Sequence, residues 1–195
     1  MGYAYSVYAV DLKKLKPPAG KAARRKLFDE LREKHADDIR EADEWFESYI
    51  IEQGAPIRSR ALWELLHGSC SQKQWGFQYA YCLELLCKHF GRRVDDTSLT
   101  WFSDVLDPVL KKAKLPRTDV LLGKDKYPVA IPRPKDFPEI GSIEAKRCPS
   151  NAAAMTKVRA LVDPDDDNLL MVVDEVTRWF ARASEAKQGL VWFVY

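Results

Sequence analysis

Four groupings in the 195-residue sequence have residue types and spacings that could do chemistry. Glu144-Ala145-Lys146 is an acidic-x-Lys triplet of the nuclease kind, in which a strand carboxylate holds a divalent metal and the lysine orients or activates a water. An earlier acid (Asp119, Asp125 or Asp136) would complete that site, and Asp136 is carried forward with the pair. The chemistry also needs a strand across Ser142 to Cys148, which Pro149 permits without requiring. A pattern this short arises by chance in many chains, so surface charge on a turn is the preferred reading and no catalytic residue is assigned. Asp163, Asp165, Asp167 and Asp174 fall at positions 1, 3, 5 and 12 of a calcium-loop count. Asn168 stands where the sharp turn needs glycine, and Asp174 where a bidentate Glu belongs, so helix capping is preferred. His67, Cys70, Cys82, Cys87 and His89 cluster in sequence but contain no close Cys-x-x-Cys pair, and core thiols are preferred over zinc. His35, alone in a charged helix, reads as solvated. No metal and no cofactor is expected.

The fourth grouping is basic. Lys13, Lys14, Lys16, Lys21, Arg24, Arg25 and Lys26 occur with no carboxylate between Leu12 and Phe28. Cations at a helix start oppose the macrodipole, so Lys21, Arg24, Arg25 and Lys26 are candidates for contact with an acidic protein partner or a phosphate backbone. Asp29, Glu30, Glu33, Asp37, Asp38, Glu41, Asp43 and Glu44 follow at once, and a charge-balanced exposed helix explains the run as well.

The elements that must position these groups are legible from periodicity. Tyr3 to Val10 is aromatic and β-branched without Pro or Gly, and predicts a strand buried on both faces. Residues 21–53 lack Gly and Pro and carry Leu27, Leu31, Ile39, Ala42, Phe46 and Tyr49 at helical spacing. They predict one helix, or two with a break near His35 to Asp38, stopped by Gly54 and Pro56. Helices are also predicted over Arg58 to Leu66 and over Gln72 to Phe90, with Gly91 as a left-handed C′ residue. Thr97 or Ser98 is expected to cap a further helix containing Trp101, Phe102, Leu106 and Leu110, kinked or divided at Pro108. Lys124 to Pro138 holds four prolines and predicts an extended surface segment. Asn151 to Leu161 is helical, and Asp163 caps a last helix with Pro164 at N1. Leu190 to Tyr195 is an unbroken apolar run and predicts a buried strand.

The expected fold is α+β: a small sheet containing the N- and C-terminal strands, covered by about five to six helices. Residues 1–195 are expected to form a single domain from which the charged helical segment 21–53 can project. Hydrophobic residues are 46% and charged residues 31%, and the net charge of +2 favours neither nucleic acid nor membrane. Gly2 and Ser6 fit an N-myristoylation pattern, but a core strand there is preferred. No export signal and no spanning stretch are read, so the four cysteines are expected to be reduced in the cytoplasm.

The stretches YAYSVYAVDLKKL, QWGFQYAYCLELLCKHFGRRVDD and PVAIPRPKDFPEIGSI resemble an uncharacterised family of small bacterial, largely actinobacterial, proteins known only as a domain of unknown function. VTRWFARASEAKQGLVWFVY and LWELLHG resemble, more loosely, the YfbM-like family. The resemblance implies a compact bacterial protein with both termini in the fold, and it carries no catalytic residues across. The functional expectation is a non-catalytic protein-interaction module, an inhibitor or immunity-type protein covering a bacterial partner. The alternative is a metal-dependent nuclease or nucleic-acid-binding protein using Glu144, Lys146 and the basic arm 13–26. An exposed aromatic patch would favour the first, and a cleft with converging carboxylates the second.

Overall fold

A computed structural model describes residues 3–99 and 102–195; Gly2, which fits the N-myristoylation pattern, and Trp101, expected in a helix, lie outside them. The elements are β1 (Tyr3–Val10), α1 (Lys21–Lys34), α2 (Ala36–Trp45), α3 (Glu47–Ile51), α4 (Arg58–His67), α5 (Gly76–Phe90), β2 (Arg92–Leu99), α6 (Phe102–Lys112), α7 (Thr118–Leu121), β3 (Glu139–Ile143), α8 (Cys148–Arg159), α9 (Asp167–Glu185) and β4 (Gly189–Val194). The class is α+β, with a four-stranded antiparallel sheet in the order β2-β1-β4-β3. As expected, β1 and β4 pair directly, and both are buried. The chain divides into two compact units, one of Met1–Leu12, Gly91–Tyr127 and Glu139–Tyr195, the other of Lys13–Phe90 and Pro128–Pro138.

The first unit holds the sheet. Tyr5, Val7 and Ala9 of β1 share one face with Leu190, Trp192 and Val194 of β4, and α9 lays Val172, Val176, Trp179, Phe180 and Ala183 into the same core. Trp179 Nε1 donates to Asp95 on β2, and Trp192 Nε1 donates to the Leu122 carbonyl at 2.8 Å, so both buried indoles are satisfied. Gly141 lies opposite Trp192 in the β3–β4 pair, where a Cβ would come within 2.4 Å of the indole. The opposite face of the sheet carries Tyr8, Val10, Val191 and Phe193, also buried.

Several boundaries differ from the sequence expectations. Arg92–Leu99 is a strand, so Thr97 and Ser98 lie in β2 instead of capping a helix, and the chain passes from Gly91 directly into that strand. Gly91 is not among the described residues with positive φ. Helix α6 continues through Pro108, because Leu106, Val109 and Leu110 hold its buried stripe on both sides of the missing N–H. The cap of α9 is Asp166, which accepts from the Leu169 N–H at 3.0 Å. Asp163 instead closes a local turn by accepting from the Asp165 N–H.

The second unit is helical. α4 packs against α1, α2 and α5, burying Ala61, Leu62, Leu65 and Leu66. It ends where expected, with Gly68 left-handed at φ 67°. α5 starts after a 3-10 turn at Lys73–Trp75. It passes so close to the extended proline-rich segment that a Cβ on Gly76 would lie 2.6 Å from the Arg133 carbonyl oxygen. The predicted break at His35 is present, at φ −121° and ψ 33°. A second break, at Phe46, divides α2 from α3.

Candidate functional site

The segment from Trp45 to Ile57 presents four large apolar side chains to solvent: Trp45 at 82% exposure, Ile51 at 72%, Ile57 at 49% and Tyr49 at 43%. Both helices that carry it are too short to be stable alone; side chains facing inward fix them. Phe46 packs on Phe77 and Tyr81 of α5, with ring centroids 4.8 and 5.3 Å apart. Tyr49 packs on Phe77 at 5.7 Å and on Trp75 at 6.2 Å. Phe46, Tyr49, Trp75, Phe77 and Tyr81 thus form a half-buried platform whose members have few rotamers to lose.

Arg58, at the start of α4, lies under this platform at 2% exposure. Its guanidinium carbon sits 4.6 Å from the Tyr81 ring centroid and 5.9 Å from that of Phe46. Its Nη1 donates to the Gln78 carbonyl at 3.3 Å, while Nε and Nη2 have no hydrogen-bond partner among the described residues. The ring faces therefore take much of the place of water around this cation. Asp43 on α2 ties the same region together. Its carboxylate accepts from the Arg58 backbone N–H at 2.7 Å, the cap that Ile57 cannot provide with its own side chain. Burial raises the pKa of Asp43, against the lowering effect of that hydrogen bond and of the Arg58 charge. The Gln78 amide, fully buried, has no hydrogen-bond partner for its Oε1 or its Nε2 among the described residues.

A second polar cluster holds the loop after α4. Glu64 accepts from Tyr79 Oη at 2.5 Å, from Ser71 Oγ at 2.9 Å and from the Ser71 N–H at 3.0 Å. Burial works against the Glu64 carboxylate, but these donors prevail and keep its pKa below the usual value. Tyr79 is pushed up to about 12 by burial and by the Glu64 carboxylate. Tyr79 Oη in turn accepts from the Gln72 N–H at 3.2 Å, so this cluster is a clasp on Ser71 and Gln72.

Over residues 1–195 the chain matches the family model described as a domain of unknown function, DUF7691. It belongs to that family. No curated protein and no solved structure matches it.

The acidic-x-Lys residues of this DUF7691 chain do not lie on a strand. β3 ends at Ile143, Glu144 precedes a 3-10 turn at Ala145–Arg147, and α8 begins at Cys148. Glu144 and Lys146 form an exposed ion pair at 2.8 Å, which lowers the Glu144 pKa. Asp136 is exposed and belongs to the helical unit. Among the described residues, no group of three or more His, Cys, Asp or Glu side chains has a metal-holding arrangement. Of the basic residues at the start of α1, Arg24 donates to the Pro18 carbonyl at 3.0 Å. Arg25 pairs with Asp29 at 2.8 Å and lies over Phe28 and Trp63. Lys21 and Lys26 are exposed. Cys82, Cys87 and Cys148 are buried free thiols, and Cys70 is half-buried. Burial pushes the Cys82 thiol up to about 12 and Cys70 to about 11. His35 is not solvated: it occupies the α1–α2 break, with Nδ1 3.1 Å from Asp38 and its ring 5.7 Å from that of His89.

In the sheet unit, Glu175 on α9 is pushed up to about 7 by burial and by the adjoining Asp95 carboxyl. Such a pair is what acid–base catalysis uses. However, neither residue lines the grooves at α6, one with Asp104, Asp107, Lys111 and Arg117, the other with Asp104, Lys112, Asp163 and Asp166. Sequence reasoning missed Trp45, Ile51, Ile57 and Arg58. The available signal was that Trp45 and Ile51 fall off the stripe running through Ile39, Ala42, Phe46 and Tyr49, yet are as apolar as its members.

Proposed function

We propose that this chain is a non-catalytic protein-interaction module, of inhibitor or immunity type, that covers a bacterial partner with the segment from Trp45 to Ile57. The carrying observation is the 82% exposure of Trp45 beside the exposed Ile51, on a base of packed aromatic rings. Exposed apolar area of this kind is unfavourable in water and is recovered on association. Tryptophan and tyrosine are also the side chains that dominate the energetic centres of protein interfaces. Among the described residues no helix is long and apolar enough to cross a membrane. The free, mostly buried thiols suit a reducing compartment.

The test uses the whole chain as bait in an extract of its native host, beside a Trp45→Ala/Ile51→Ser variant with unchanged melting temperature. The wild type is expected to retain a stoichiometric protein complex that the variant loses. A complex retained equally by both would remove the reading. Magnesium- or manganese-dependent cleavage of DNA or RNA that Glu144→Gln abolishes would move the protein into the alternative class.

A further inference from the structure

We infer that the partner meeting the Trp45–Ile57 face is a protein surface bearing lysine or arginine side chains around an apolar anchor; this rests on the interaction reading above. The ground is charge. Between Ala36 and Ile57 the sequence holds Asp37, Asp38, Glu41, Asp43, Glu44, Glu47 and Glu52 against the single cation Arg40, in a chain whose net charge is +2. Arg40 is already engaged, 3.0 Å from Asp37 and 3.6 Å from Glu44. Asp38 is held by Lys88 at 2.9 Å, and Asp43 by the Arg58 N–H.

Glu41, Glu47 and Glu52 remain. All three are exposed. Two stand one helical turn before an exposed apolar side chain: Glu41 before Trp45 in α2, and Glu47 before Ile51 in α3. Residues four apart on a helix share a face. Each anchor therefore carries a carboxylate beside it, and Glu52 adjoins Ile51. A cation docking here meets a carboxylate and, at Trp45 and Tyr49, the negative face of an aromatic ring. Phosphate-rich partners are repelled by the same carboxylates, which separates this face from nucleic acid and from anionic lipid surfaces.

The probe is a random peptide library displayed on phage, selected on the intact protein and counter-selected on Trp45→Ala. The expected peptides depend on Trp45, carry net positive charge, and combine Arg or Lys with an aromatic or aliphatic residue. Their Kd is expected to rise at least about tenfold on Trp45→Ala, the loss of a modest interface hot spot. A Glu41→Lys/Glu47→Lys/Glu52→Lys variant is expected to weaken them similarly and to enrich acidic peptides when selected afresh. Trp45-dependent peptides that are neutral or acidic, or that bind the triple variant equally well, would overturn the inference while leaving the interaction reading standing. Recovery of no Trp45-dependent peptide would remove both. A homodimer in sedimentation equilibrium that Trp45→Ala dissolves would make a second copy the occupant, and would also overturn the inference.

Discussion

Trp179 and Trp192 in the sheet unit are buried and each indole N–H has an acceptor, whereas in the helical unit Trp45 stands in water and the buried Trp75 Nε1 has none among the described residues. The contrast extends to charge. Around the sheet, Arg159 pairs with Asp174 and Arg117 with Asp107. Under the helical unit's aromatic platform, the Arg58 guanidinium rests on rings, and the Gln78 amide is buried without partners among the described residues. At Trp179 and Trp192 a core of the first kind is complete in the isolated protein, and the buried Glu175 Oε2 is an exception to it among the described residues. A region of the second kind keeps apolar area and polar groups uncompensated, and association can compensate them.

The largest effect that tests this contrast is on stability. Trp179→Ala is expected to cost about 4 kcal/mol, the usual loss on emptying a large aromatic site in a core. At roughly 3 °C per kcal/mol for a chain of this size, the melting temperature falls by about 12 °C. Trp45→Ala, an equal truncation, is expected to move stability by less than about 0.5 kcal/mol, because its ring is already in water. Thermal unfolding of the two variants side by side reads both. A Trp45→Ala loss comparable with that of Trp179→Ala would break the distinction between the units.

Next is the Glu64 clasp. Glu64→Gln exchanges a carboxylate accepting four hydrogen bonds, from Tyr79, from Ser71 Oγ and N–H and from Arg60, for an amide with one acceptor oxygen, and is expected to cost about 2 kcal/mol. Because Glu64 is held below its ordinary 4.5, its contribution is full above that value and is lost as pH falls through the lower folded pKa. The variant's deficit in urea unfolding should therefore shrink on acidification. A deficit that is the same at pH 3 and pH 7 would show that the clasp acts by shape and not by charge.

Arg58 comes third. Arg58→Met keeps the length and ring contact of the side chain and removes the cation, so a change within about 1 kcal/mol is expected. Arg58→Ala also loses the packing, and should cost about 2 kcal/mol. If Met is as costly as Ala, the charge on the rings contributes more than the stem.

The smallest effects are opposed in sign between the units. Glu175 has a folded pKa of about 7, above its ordinary 4.5. The folded sheet unit therefore takes up a proton in that window, and its contribution falls as pH rises through 7. His89 is depressed below 6.5 by burial and by Lys34, with His35 adding to the effect and Glu30 opposing it. Its contribution is intact above 6.5 and falls as pH drops below that. Melting temperatures from pH 4 to 9 should show Glu175→Gln gaining only at the alkaline end and His89→Gln only at the acid end. The same pH profile in both variants would deny the difference.

What was legible in the sequence follows from how each element is buried. YAYSVYAV and LVWFVY are apolar throughout because both faces of β1 and β4 are covered, so no partner needs to be known to read them. α9 shows its stripe from Val172 to Ala183 for the same reason. β2, in contrast, is RRVDDTSL, an edge strand with little apolar content, and its ladder to β1 is set by backbone groups that composition does not reveal. β3 is five residues long, and its glycine is there for the indole of Trp192. The break at Phe46 has no Gly or Pro to announce it; the Phe77 and Tyr81 rings that receive Phe46 lie some thirty residues downstream. Four aspartates between 163 and 167 are all competent caps, and sequence alone cannot rank them. The candidate face was hidden in a similar way. The apolar pattern marks Trp45 and Ile51 as off-stripe, but only the fold shows that they stay exposed among the described residues.

The sheet order carries a consequence for how the chain is made. β1 pairs with β4 from Tyr5 to Val10, yet residues 11–188 separate them. During synthesis β1 leaves the ribosome with no partner until β2 follows, and its β4 side stays open until Gly189–Val194 has been made. Pairings this distant form slowly. In the interval an uncharged, β-prone run with an open edge is a template for the wrong strand. Slowing translation ahead of Gly189, or supplying a holding chaperone, should therefore change the yield of folded protein far more than any surface substitution in the helical unit.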